Sequence, residues 1–279
     1  TRVDAEIAED LGAGSPMMRL VQGDVGSGKT VVAALAALRL IEAGWQVAVM
    51  APTELLSEQH LRNFRHWLEP LGLDVAWLSG RLPAAERQAV LDALAGGDAG
   101  LVVGTHALFQ EQVRFAQLGL AIVDEQHRFG VHQRLALREK GSRNGLQPHQ
   151  MIMTATPIPR TLAMTAYADL DVSVIDELPP GRQPVRTVVV PDSRREEVMT
   201  RIRDACASGR QAYWVCTLVD ESEAVEARAA EATAAQLAQS LPELRVGLVH
   251  GRQRAADKEA AMRAFEAGET QLLVATTVI

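Results

Sequence analysis

The chain has 279 residues, 47% hydrophobic and 23% charged, which suits two domains of roughly 100–150 residues and argues against a disordered protein. No apolar run reaches the ~20 residues a bilayer-crossing helix needs, and Thr1-Arg2-Val3-Asp4 does not read as a signal peptide. Cys206 and Cys216 offer neither metal-ligand spacing nor a disulfide framework, so membrane, secreted and cysteine-zinc classes are disfavoured. The net charge of −7 leaves nucleic acid open, because phosphate binding needs a local basic track rather than a basic total.

Short apolar runs rich in β-branched residues alternate with helical patterns, which predicts parallel α/β units. In chain order the expected strands are Arg19–Gln22, Gln46–Met50, Leu101–Val103, Leu120–Val123, Gln150–Met153 and Val172–Ile175. Between them helices are expected over Thr30–Ala43, Glu54–Leu71, Ala84–Ala95 and Arg134–Lys140. Most of these strands are apolar throughout, as befits a sheet covered on both faces.

Pro179-Pro180-Gly181-Arg182-Gln183-Pro184 can continue neither a helix nor a central strand and reads as a linker between domains 1–182 and 183–279. A second series follows: strand Val185–Val190, helix Ser193–Ser208, strand Gln211–Cys216, helix Ala224–Leu241, strand Arg245–Val249, helix Ala255–Ala267 and strand Gln271–Ala275. Ser193 with Glu196 has the spacing of a capping box. A sheet of about four strands with no closing helix predicts that the second domain is incomplete and the chain a fragment.

The strongest chemical signal is Gly23-Asp24-Val25-Gly26-Ser27-Gly28-Lys29-Thr30. It fits the pattern in which glycines let backbone N–H groups approach a polyphosphate and the next helix aims its positive end there. Lys29 is expected to contact the β- and γ-phosphates and Thr30 to ligate Mg²⁺. A second element, Leu120-Ala121-Ile122-Val123-Asp124-Glu125-Gln126-His127, ends an apolar strand in two carboxylates. Asp124 suits the magnesium shell and Glu125 the polarisation of an attacking water. A third, Met153-Thr154-Ala155-Thr156-Pro157-Ile158-Pro159-Arg160, places hydroxyls where they can hydrogen-bond those carboxylates or His127.

Taken together, stretches 23–30, 124–131 and 154–161 resemble superfamily 2 helicases, and more closely the RecG family of bacterial branched-DNA helicases. The stretch from Ala51 to His60 resembles motif Ia of that superfamily, and that from Gly104 to Leu108 resembles motif Ib. The His250-Gly251-Arg252 turn is similar to the family's, and Ala275–Ile279 resembles the opening of motif V. The resemblance implies two RecA-like P-loop domains with parallel sheets and ATP held with Mg²⁺ in the cleft between them. It gives Lys29, Asp124, Glu125 and His127 catalytic places, and Thr154, Thr156 and Arg160 a coupling role. Thr53, Thr105, His250, Gly251 and Thr277 would contact the DNA backbone, since phosphate contacts position a motor without reading sequence.

By the same resemblance, the adenine-recognising glutamine falls before Thr1, and motif VI with its arginine fingers falls beyond Ile279. The wedge domain that engages branch points lies outside this chain too, so the chain alone is expected to turn nucleotide over poorly. The implied partner is branched or double-stranded DNA, with a single-stranded DNA-binding protein as a contact of the parent protein. The implied place is the bacterial cytoplasm, at the nucleoid.

The competing readings are a transcription-repair coupling translocase of the same superfamily and, in another class, a non-catalytic nucleotide switch. Glu125 speaks against the switch, which has no need of a water-polarising carboxylate. A zinc site at His127 and His132 is disfavoured because no partner ligands accompany them.

Overall fold

The computed structural model describes residues 2–125, 147–156, 170–177, 179, 181–183, 185–216 and 223–276. The expected helix over 134–140 lies outside them. The chain divides into two compact units, Thr1–Gln183 and Pro184–Ile279.

In the first unit, α1 (Arg2–Gly12) leads into β1 (Met18–Gly23), α2 (Lys29–Glu42), β2 (Gln46–Met50) and α3 (Glu54–Leu68). Then come β3 (Val75–Leu78), α4 (Ala84–Gly96), β4 (Leu101–Gly104), β5 (Leu118–Asp124), β6 (His149–Thr154) and β7 (Asp171–Ile175). Among the described residues these strands form one seven-stranded sheet, ordered β3-β4-β2-β5-β6-β1-β7. Every pairing is parallel.

Both faces of the central strands β2, β4 and β5 are buried, and the period of two in a strand divides its side chains between two cores. Val47 and Val49 of β2, Leu101 and Val103 of β4, and Leu120 and Ile122 of β5 join a core shared with Val3, Ile7, Ala33, Phe64 and Leu68. Ala48, Met50, Val102, Ala121 and Val123 point the other way, to Leu91, Leu94, Leu108 and Phe115. That two-sided burial is why these strands read as unbroken apolar runs.

Two elements of this unit are absent from the sequence expectations. Helix α1 buries Val3 and Ile7, with Leu11 packed beside them, an i, i+4 stripe only three residues long. It is tied to the sheet by Arg19, a buried guanidinium that donates from Nε to Asp10 at 2.6 Å and from an amino nitrogen to Ser173 at 2.7 Å. Burial opposes the charge on Arg19, but Asp10, Asp171 and Glu6 outweigh it and raise its pKa above the ordinary value. Strand β3 is four residues at the sheet's end, half-buried in its middle, too short and too mixed to announce itself.

The second unit runs from a 3₁₀ turn (Asp192–Arg194) through α5 (Arg195–Ala207), β8 (Ala212–Val215), α6 (Glu223–Ser240), β9 (Val246–Val249), α7 (Ala255–Glu266) and β10 (Leu272–Ala275). Its described strands form a parallel sheet ordered β8-β10-β9. Leu272 and Val274 face Leu237 and Leu241, while Leu273 faces Phe265.

Two expectations fail here. No strand forms over 185–190, where Val185, Val188 and Val189 are 77%, 54% and 96% exposed. β-branched residues favour a strand only where a neighbouring strand accepts the pairing. The capping box at Ser193 is not made either: Arg194 is the N-cap of α5, with no side-chain cap bond, and its guanidinium pairs with Glu197 instead.

Candidate active site

Strand β1 ends at Gly23, and the turn after it delivers Gly28 as the N-cap of α2. A Cβ on Gly23 would lie 2.5 Å from Ser27 Oγ and 3.0 Å from Ile175 Cβ, so the loop can close this tightly only around glycine. Gly26 and Gly28 have φ of 79° and 96°, the left-handed region that side chains resist. No side chain caps the first turn of α2, which leaves its N–H groups available to an anion. Ser27 Oγ is buried and lacks a partner among the described residues.

Within this loop Lys29 Nζ donates to the carbonyls of Gly23 (2.7 Å) and Asp24 (2.9 Å). An ammonium has three hydrogens, so one remains for another acceptor. Burial pulls the Lys29 pKa below its ordinary value, and the fields of Asp124, Glu125 and Asp24 oppose that fall. Asp124 and Glu125 therefore act on Lys29 through space, although almost a hundred residues of sequence separate them from it.

The sheet explains the convergence. β5 and β1 both pair with β6, and Met153 is opposite Asp124 on one side and Val21 on the other. The two carboxyl ends therefore stand about 10 Å apart, two strand spacings, on one edge of the sheet. Ligands in parallel α/β sheets gather at this edge.

Glu125 follows β5 with φ 48°, the one described non-glycine residue in the left-handed region. Its N–H donates to the Met153 carbonyl at 2.9 Å, locking the turn to β6. Its carboxylate accepts the Thr154 hydroxyl at Oε2 and the Ala155 N–H at Oε1, each at 3.0 Å. Thr154 Oγ1 in turn accepts the Thr156 N–H at 3.1 Å. Asp124 has a different partner: its Oδ2 lies 2.7 Å from Nε2 of the buried His60 of α3.

The remaining sequence candidates separate into three groups. Thr53 and Thr105 follow the adjacent strands β2 and β4 on the same edge of the sheet. Thr53 Oγ1 caps α3 by accepting the Leu56 N–H at 3.3 Å, whereas Thr105 is 1% exposed with its hydroxyl unpartnered among the described residues. In the second unit His250 is 6% exposed, with Nε2 at 3.3 Å from a Glu231 carboxylate oxygen, and the Gly251 carbonyl accepts Lys258 Nζ at 2.8 Å. His127, Arg160 and Thr277 lie outside the described residues.

Two contacts at the site had no sequence signal, because only the fold makes them neighbours. One is the His60–Asp124 pair. The other is Arg182, whose guanidinium reaches Asp24 Oδ2 at 3.4 Å, while Pro179 is the nearest neighbour that a Cβ on Gly26 would meet.

The glycine-rich loop after β1 and the acidic end of β5 thus share one edge of a parallel sheet. The chain belongs to the DEAD/DEAH box helicase family, whose model matches residues 1–165. Over its whole length it is 66% identical to ATP-dependent DNA helicase RecG of Escherichia coli (strain K12) and 62% identical to that of Haemophilus influenzae. The chain spans 40% of the length of each of these curated relatives. A solved structure of RecG bound to a three-way DNA junction superimposes on all of this chain with a TM-score of 0.77 at 39% identity, using 36% of that protein. The fold is thus the α/β, RecA-like helicase fold with a parallel sheet.

Proposed function

We propose that this chain is the ATP-hydrolysing motor of a RecG-type DNA helicase, with residues 1–182 as its first RecA-like domain and 183–279 as part of its second. Its substrate in the whole protein is branched DNA, forks and Holliday junctions, remodelled in recombination and repair. The observation that carries the reading is the convergence of Lys29 with Asp124 and Glu125 at the carboxyl ends of β1 and β5. The high identity to RecG supports the DNA half of the proposal.

The loop from Gly23 to Thr30 fits a polyphosphate on three grounds: the close approach at Gly23, the uncapped start of α2 and the orphaned Ser27 hydroxyl. Lys29 would exchange its loop carbonyls for phosphate oxygens, which return more to a cation than neutral carbonyls do. Among the described residues no three His, Cys, Asp or Glu side chains form a metal-binding group. A divalent ion here would therefore need the nucleotide's own oxygens beside Thr30 and Asp124, the mode magnesium favours. Magnesium bound in this way would neutralise charge between the β- and γ-phosphates.

Glu125, held by Thr154 and Ala155, would orient the attacking water and take its proton. Because Thr154 ends β6 and its hydroxyl accepts the Thr156 N–H, a change at Glu125 reaches the segment after β6 directly, which suits Thr154 and Thr156 to coupling, the role the resemblance also gives Arg160. Thr53 and Thr105, and His250, Gly251 and Thr277 of the second unit, would meet DNA phosphates. In the cell the whole protein would work in the bacterial cytoplasm at the nucleoid, beside a single-stranded DNA-binding protein. Among the described residues no helix is long and apolar enough to cross a membrane.

The test is ATPase activity of the intact protein with Holliday junctions, linear duplex and stalled transcription complexes. Stimulation should be strongest with junctions and should fall as salt rises, because phosphate contacts release counterions. Preference for stalled transcription complexes would overturn the branched-DNA assignment, and the absence of DNA-stimulated turnover would overturn the motor.

A further inference from the structure

Buried in α3, two helical turns beyond Thr53, His60 is 6% exposed. Its Nε2 lies 2.7 Å from Asp124 Oδ2. An ionised carboxylate only accepts hydrogen bonds, so Nε2 carries the hydrogen and the imidazole is the donor. The other ring nitrogen, Nδ1, is buried with no partner among the described residues, and the ring packs edge-on against Phe64 at 6.5 Å between centroids.

A buried polar nitrogen left unpaired costs free energy, and an aromatic hydrocarbon side chain would fill the same space without that cost. The polar return on His60 is its bond to Asp124, which joins helix α3 to the end of strand β5. The bond engages Oδ2 and restrains rotation of the carboxylate, while among the described residues no hydrogen bond takes up Oδ1, which can serve as a ligand oxygen. We propose that His60 is a positioning residue that orients the Asp124 carboxylate for the nucleotide-bound divalent cation. This inference rests on the metal role proposed for Asp124. It assigns to α3 a part in the metal site that the strand ends alone do not supply.

Metal affinity tests it without requiring turnover. Mn²⁺ is titrated into the intact protein with ADP, and free Mn²⁺ is followed by electron paramagnetic resonance. Loss of a hydrogen bond behind a metal ligand typically costs 10–100-fold in affinity, so His60→Phe should weaken Mn²⁺ binding about tenfold and leave metal-free ADP affinity within about twofold. His60→Gln carries an amide nitrogen near the Nε2 position and should restore Mn²⁺ affinity. His60→Asn, one atom shorter, should not. The Asn and Gln pair decides the matter if the Phe variant fails to fold.

Wild-type Mn²⁺ affinity in His60→Phe or His60→Asn, or a His60→Gln variant as weak as His60→Asn, would overturn the proposal. Asp124→Asn separates the two layers of argument. If it keeps wild-type Mn²⁺ affinity, the metal role of Asp124 and the positioning role of His60 both fall. If it loses the metal while His60→Phe and His60→Asn retain it, only the role of His60 falls.

Discussion

The Thr154 hydroxyl donates to Glu125 Oε2 at 3.0 Å, so the strand end of β6 holds the side chain proposed above to activate water. Thr154 is 2% exposed, and valine would keep its shape while removing the donor. A hydrogen bond to a charged group contributes about 1.5–3 kcal/mol, so Thr154→Val should lower kcat of the DNA-stimulated ATPase roughly 10–100-fold with little change in KM. A rise in KM at constant kcat would instead assign Thr154 to nucleotide binding.

Glu125→Gln keeps the side chain's size and removes its basicity. Turnover should fall by about 10²-fold or more while nucleotide affinity, read with a fluorescent ATP analogue, stays close to wild type. Equal loss of both would remove Glu125 from the chemical step.

Lys29→Ala should abolish ATPase activity in the intact protein. The pH profile adds a sign. Burial lowers the Lys29 pKa below the usual 10.5, and phosphate needs the charged form. Nucleotide affinity should therefore decline on the alkaline side, and at a lower pH than an ordinary lysine would impose. Affinity titrations at increasing alkaline pH should show this decline in the wild type and none in Lys29→Ala.

Gly23→Ala addresses the loop itself. Ser27 can rotate away from the new methyl, but Ile175 Cβ at 3.0 Å and the Ile175 carbonyl at 3.3 Å belong to a neighbouring strand and cannot. The overpacking should cost about 1–3 kcal/mol and weaken nucleotide binding, as urea unfolding and ligand titration would show.

Arg19→Met tests the anchor of α1. It strips Asp10, Glu6 and Ser173 of their shared donor, and breaking such a buried pair costs roughly 3 kcal/mol, less where the partners meet water. Asp171→Asn should have little effect, since Asp171 is 72% exposed and 4.0 Å away. Urea midpoints of the two variants distinguish these outcomes.

The glycine loop before α2 and the acidic strand end were legible as structural features because each is a local pattern: glycine spacing before a helix, carboxylates after an apolar run. The central strands were equally legible, since burial on both faces removes polar residues from Gln46–Met50 and Leu118–Asp124 almost completely. The marginal elements were less so. Helix α1 shows three apolar residues at i, i+4 spacing, β3 has four residues, and the valines of 185–190 carry strand propensity with no strand among the described residues to pair with.

By itself the sequence determined the groups on offer, a glycine-rich loop, two carboxylates and a pair of hydroxyls, because these depend on residue type and short spacing. Tertiary structure decided which of them meet. The parallel order β5-β6-β1 brings Asp124, Thr154 and Gly23 to one edge, and the helix after β2 delivers His60 to Asp124. Such meetings are set by strand order and packing across the sheet, and side chains that far apart in the chain leave no periodic trace of their contact.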